Sequence, residues 1–242
     1  MLAILNSMLF MMTEYIELGG HRVEIRRHAM ARRVKLSVDP RRGAIRLTLP
    51  KRAALLAALH WARGQTDWIA REVAKRPDPC AIEPGMTIPI GDEGLMIDWD
   101  EHYSRVPRRL GAYLRVGGDR SELAPRVLRW LKREAVRQLT CDTHEAATRA
   151  NVTIGRVGVG DPRSRWGSCS SNGDIRYSWR LILAPAHVRL ATVAHEVAHR
   201  VHMNHGAAFH ALVDELHEGD VRAAREWLRA HGHMLHRFGQ SS

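Results

Sequence analysis

Residues 194–199 read Ala194-His195-Glu196-Val197-Ala198-His199, an H-E-x-x-H pattern in an apolar run that Pro185 opens and that predicts a helix. At 3.6 residues per turn, positions four apart lie on one face, so His195 and His199 can share one metal ion. Leu190, Val193, Ala194, Val197 and Val201 fall together as an apolar stripe, while Val188, Thr192, His195, His199 and His202 line the opposite side. This pattern predicts a helix wedged between a core and a cleft.

A carboxylate beside paired imidazoles suits a metal-dependent hydrolase, in which the metal acidifies water and the carboxylate takes the proton. Glu196 is therefore the candidate general base. A catalytic zinc takes three protein ligands and keeps one position open. His205 is the best-placed third ligand, because Asn204 and Gly206 readily leave helical geometry and let the chain turn back over the ion. His202 is a rival, but binding from the same straight helix gives poor tetrahedral angles; His210 and Glu215 on the next helix are weaker rivals.

Outward from this helix, helical patterns over residues 207–217 and 221–230 close the chain, with Gly219 and Gly232 as helix stops. Upstream, strand patterns cover residues 152–159, 166–170 and 174–179, the last two joined by the hairpin signal Ser171-Asn172-Gly173. A long helix spans residues 121–150, opened by Ser121. Gly117-Gly118 marks the predicted boundary between a β-rich N-terminal region with one long helix (residues 1–116) and a catalytic domain (residues 117–242).

In the first region, residues 15–49 read as an antiparallel meander, with Asp39-Pro40-Arg41-Arg42-Gly43 as one turn. One helix over residues 51–75 should pack on it through Leu55, Leu56, Leu59, Trp61, Trp68, Ile69 and Val73. Pro77, Pro79 and Pro84 form a linker, and short strands follow at 86–90, 95–99 and 113–116. No internal repeat is visible. The fold class expected is α+β.

The formal net charge of +11 favours anionic partners. Of the 37 basic residues only Lys35, Lys51, Lys75 and Lys132 are lysine, and the arginines are spread along the chain, as a compositional bias would spread them. The densest cluster is Arg26, Arg27, Arg32, Arg33, Arg41 and Arg42 in the meander, where arginine alternating with apolar residues marks a solvated sheet face. Cys80, Cys141 and Cys169 form no C-x-x-C pair, which argues against a disulfide framework and cysteine-bound zinc. The apolar opening of 12 residues is too short to span a bilayer and lacks the basic start and cleavage site of a signal peptide. A cytoplasmic protein without membrane partners is expected, with Met11 or Met12 as alternative starts.

Four motifs stand in order: Ser164-Arg165-Trp166-Gly167-Ser168-Cys169-Ser170, Trp179-Arg180-Leu181-Ile182-Leu183-Ala184-Pro185, His195-Glu196-x-x-His199 and Asn204-His205-x-x-x-Phe209. In order and spacing they resemble the YgjP-like (DUF45) family of zinc metallopeptidases. The run His205-Gly206-Ala207-Ala208-Phe209 is similar to the SprT-like proteases, where such a histidine is the third zinc ligand. The resemblance implies a gluzincin-like zincin minidomain in which His195, His199 and His205 bind Zn2+ and Glu196 is the general base. One departure is Ser178 before Trp179, where the family often has asparagine. His202 stands where the metzincins carry glycine, which sets the chain apart from that clan.

The run Trp166, Gly167, Ser168 and Cys169 is the candidate substrate-binding strand, along which an extended peptide pairs through backbone groups, with Trp166 itself a structural residue. Cys169 has no dedicated base adjacent to it and is a poor nucleophile candidate. Arg180, Tyr177 and His202 are candidate oxyanion donors. His231, His233 and His236 read as a solvated helix end. The leading functional expectation is a zinc peptidase acting on peptide or protein substrates. The alternatives are a nucleotide pyrophosphatase whose arginines bind phosphate, and a basic nucleic-acid or partner-binding module with a structural metal site.

Overall fold

The computed structural model describes residues 14–39, 43–74, 80–162 and 165–239. The apolar opening, the turn residues Pro40, Arg41 and Arg42, the linker residues Lys75, Pro77 and Pro79, and Ser164 lie outside these. The protein is mixed α+β and divides into two compact units, Met1–Pro77 and Asp78–Ser242.

The first unit holds β1 (Glu14–Leu18), β2 (His21–His28), β3 (Lys35–Val38), β4 (Ile45–Pro50), α1 (Leu55–Arg63) and α2 (Thr66–Ala74). Alternation in β4 buries Ile45, Leu47 and Leu49 on one face, and these pack with Val23, Ile25, Ala58, Ala62 and Ile69. The sheet is not a meander. Its order is β1-β2-β4-β3, with β2 parallel to β4 from Val23↔Ile45 to His28↔Pro50 and an antiparallel hairpin on each side. Alternation specifies which face is buried, and a parallel or an antiparallel neighbour satisfies it equally. The expected single helix is two, broken at Gly64, whose conformational freedom disfavours helix continuation. Leu56 and Trp61, expected on the packing face, are exposed; Ala58 and Ala62 take that place. Arg27 is not a free surface cation, since its guanidinium donates to the carbonyls of Pro50, Lys51 and Ala53 and secures the chain leaving β4.

The second unit begins with β5 (Thr87–Ile90), β6 (Glu93–Asp100), β7 (Arg108–Leu110) and β8 (Tyr113–Gly117), in the order β5-β6-β8-β7. The boundary expected at 116/117 is absent, because Ile88, Leu95, Ile97, Leu114 and Val116 share one core with Leu123, Val127 and Leu131 of α3 (Leu123–Arg149). Gly117 marks a close approach: a Cβ there would overlap the Tyr103 carbonyl.

After α3 come β9 (Val157–Gly160), β10 (Gly167–Cys169) and β11 (Ile175–Ser178), with β11 central, parallel to β9 and antiparallel to β10. The expected hairpin at 171–173 joins β10 to β11, with Gly173 at φ 89°. A 3-10 turn, Trp179–Leu183, leads into α4 (Ala186–Ala198), then α5 (Ala207–His217) and α6 (Val221–Leu235). Helix α6 runs through Gly232, expected as its stop, because the Trp166 indole packs against that position and leaves 2.8 Å for a Cβ. Among the described residues no helix is long and apolar enough to cross a membrane.

Helix α4 carries the H-E-x-x-H pattern and is more enclosed than a two-faced helix. Val188, expected on the open side, is buried, whereas Leu190 and Val201 of the expected stripe are exposed. A buried ion pair, Arg189 Nε to Asp142 at 2.7 Å, ties α4 to α3. Breaking it from one side would leave an uncompensated buried charge, so it fixes the position of α4.

Candidate metal centre

Helix α4 ends at Ala198, and His199 is its cap, with φ −64° and ψ −14°. The chain then leaves the helix, and the Asn204 side-chain oxygen accepts from the Gly206 N–H at 3.3 Å at the entry to α5. This turn brings His205 back: one ring nitrogen each from His195, His199 and His205 lies within 4.8 Å of the others. His195 Nε2 and His205 Nε2 are 3.3 Å apart. Two imidazole nitrogens aimed at one point require a proton or a cation between them.

The tautomers favour a cation. His199 Nδ1 lies 3.2 Å from the His202 carbonyl, which only accepts, so Nδ1 carries the proton and Nε2 keeps its lone pair. Burial, then the neighbouring His199 and His205, lower His195 to about 4, and burial lowers His199, so both rings are neutral at neutral pH. A three-nitrogen donor set fits a metal of the zinc class. His202 contributes its carbonyl, not a ligand. The His210 ring centroid is 6.5 Å from that of His205, and neither His210 nor Glu215 belongs to the one cluster able to hold a metal among the described residues.

Phe209 backs the site. It is fully buried, with ring centroids 4.9, 4.7 and 4.7 Å from His195, His199 and His205. Its signal in the sequence is its place four residues after His205 in the Asn204-His205-x-x-x-Phe209 run.

Glu196 is buried, and burial raises its carboxyl to about 7, with Arg165 and the Cys169 backbone hydrogen bond pulling the other way. Strand β10 crosses directly over it: a Cβ at Gly167 would overlap the Glu196 carboxylate. Glycine at this position is therefore what lets the strand and the carboxylate come together. Of the expected substrate strand, Gly167, Ser168 and Cys169 form β10, the edge of its three-stranded sheet, and pair only with β11. Trp166 packs against Gly232 and stacks on His236 at 5.6 Å, so His236 is buried and does not belong to a solvated helix end. Burial pushes the Cys169 thiol up, opposite to what a nucleophile needs.

A pocket of about 270 Å³ adjoins the site, walled by Val188, Ala191, Val221, Ala224 and Leu228, with Arg165 and Arg225 on its lining. Two of the expected oxyanion donors are engaged elsewhere. The Tyr177 hydroxyl meets Thr143 Oγ1 at 3.1 Å in the core, and the buried Arg180 binds Asp161 and the Phe238 carbonyl. The Ser178 hydroxyl is buried without a hydrogen-bond partner among the described residues.

No curated protein and no solved structure matches the chain. A family model does: the one described as YgjP-like, metallopeptidase domain, over residues 32–231. That span takes in β3, β4 and both helices of the first unit as well as the whole histidine cluster. The chain belongs to the YgjP-like family of metallopeptidase domains, metal-dependent hydrolases by that description.

Proposed function

We propose that the chain is a zinc peptidase whose site is a gluzincin-like zincin minidomain, with His195, His199 and His205 holding the ion and Glu196 as general base. The observation that carries this reading is the convergence of three imidazoles beside a buried carboxylate under an edge strand. A zinc ion held there supplies a Lewis acid that acidifies water and polarises a scissile carbonyl. Glu196 takes the proton from the attacking water and returns it to the leaving amine. The open edge of β10 offers its remaining backbone groups to an extended peptide, and the adjoining apolar pocket receives a substrate side chain.

Cleavage of casein or a peptide library by zinc-loaded protein tests this. Glu196→Gln should reduce cleavage by about 10²–10⁴-fold, the usual range for a general acid–base group, with zinc still bound. Full activity in that variant would sink the base assignment.

One observation favours a second reading, phosphoanhydride hydrolysis. Arg165 and Arg225 line the pocket, and Arg225 has no ion-pair partner among the described residues, which suits a phosphate. Phosphate release from nucleoside triphosphates, lost in Arg225→Ala, with no peptide cleavage by the same preparation, would replace the first reading by the second.

A further inference from the structure

The second unit carries a concave cationic groove remote in sequence from the histidine cluster. Arg105, on the loop after β6, and Arg126, Arg129, Lys132 and Arg133, on the first half of α3, surround a cavity of about 510 Å³. No carboxylate lines it. We propose that this groove binds the sugar–phosphate backbone of duplex nucleic acid, independently of the metal site.

Elsewhere the chain matches many of its arginines with acids: Arg46 with Glu24, Arg109 with Glu93, Arg115 with Asp98, Arg120 with Glu83, Arg137 with Glu134 and Arg149 with Glu218. In the groove, Arg105, Arg129, Lys132 and Arg133 have no ion-pair partner among the described residues. Arg126 donates to the Asp119 backbone carbonyl at 2.8 Å and its charge also acts on the Asp119 carboxylate, so four of the five cations are left without an acidic partner. Like charges gathered in a concavity repel one another, and a polyanion relieves that repulsion while releasing its own condensed counterions.

The spacing suits a phosphate strand. Arg126, Arg129 and Arg133 stand three and seven residues along α3, on one face. At 1.5 Å per residue they cover about 10 Å of helix axis, and the phosphates of one strand recur every ~3.4 Å along a duplex. Four of the five cations are arginine, whose planar fork matches phosphate oxygens in pairs. The remaining lining residues are Val106 and Pro107. With no aromatic ring in the groove, the base-stacking platform of single-strand binders is missing, and the contacts are to the backbone. Sequence-independent duplex binding follows.

The test is fluorescence anisotropy of a labelled duplex oligonucleotide with the full chain between 50 and 200 mM salt. Each phosphate neutralised contributes about −0.9 to the slope of log K against log salt, so four free cations predict a slope of about −3 to −4. The triple variant Arg129→Ala/Lys132→Ala/Arg133→Ala should flatten the slope by about 2 to 3 and weaken binding at least 10-fold at 100 mM salt. Arg129→Lys/Arg133→Lys, which keeps the charge, should stay within a few-fold of wild type, and Arg32→Ala/Arg33→Ala in the first unit should leave the slope unchanged. A melting curve matching wild type shows that the triple variant is folded. Duplex binding that is absent or insensitive to the groove variants overturns the proposal. Stronger binding of a single strand of equal length does so too, as does equal displacement by polyglutamate, the mark of an acidic-protein surface. None of these outcomes depends on zinc, so the hydrolase reading stands or falls separately.

Discussion

Strands β1 to β4 and strands β5 to β8 share a strand order and the same sequence of antiparallel, parallel and antiparallel pairings. They also share a detail on the central parallel pair, a bridge from Glu24 to Arg46 in the first sheet and from Asp98 to Arg115 in the second. Aligned on those bridges, Val23-Glu24-Ile25 matches Ile97-Asp98-Trp99, and Ile45-Arg46-Leu47 matches Leu114-Arg115-Val116. What differs is the layer that covers each apolar face. The first sheet closes on α1 and α2 and makes a core of its own; the second joins the core that also holds Val193, Ala194 and Val197 of the metal helix. The covering layer, more than the sheet, decides whether a given strand arrangement is a separate unit or part of the scaffold under a site.

The largest expected effect comes from truncating the two equivalent core positions, Ile45 and Leu114, both essentially inaccessible to solvent. Each substitution to alanine should cost about 2–5 kcal/mol in urea unfolding. Leu114→Ala should also weaken zinc retention against a chelator, whereas Ile45→Ala should not. Equal loss of zinc from both variants would erase the distinction between the sheets. Next in size is metal removal. Chelation should lower the melting transition of the second unit by on the order of 3 kcal/mol if zinc stands at a hundredfold excess over its Kd, leaving the first unit unchanged; a calorimetric scan in which both transitions shift together would count against two separate cores. Smaller still is the contrast two residues beyond each bridging arginine, at Gly117 after Arg115 and at Thr48 after Arg46. Gly117→Ala should cost about 1–3 kcal/mol by overpacking against the Tyr103 carbonyl. Thr48→Ala should be close to neutral by the same denaturation assay, and the reverse order of effects would break the alignment of the two sheets.

The metal site was legible because its parts are local. His195, Glu196 and His199 lie within about a turn of one helix, and His205 follows after a short turn flagged by Asn204 and Gly206. Residues whose roles depend on distant chain were not. The parallel pairing of β2 with β4 leaves no trace in alternation, so the duplicated sheet passed as a meander with no repeat. Gly117 and Gly232 looked like punctuation, yet each makes room for a remote group, the Tyr103 carbonyl and the Trp166 indole. Arg180 and Tyr177 looked available to a substrate, but both are consumed by buried hydrogen bonds with residues far away in sequence. Phe209 stood inside a recognised motif, and only the three-dimensional arrangement gives it the place behind all three imidazoles.

Metal analysis of purified protein measures directly whether the three histidines form one metal site. Wild type should carry one zinc per chain, while His195→Ala, His199→Ala and His205→Ala should each lose most of it and Glu196→Gln should keep it. A His205→Ala protein with unchanged zinc content would contradict the account, because the metal would then be held without the ligand that the turn after α4 brings back.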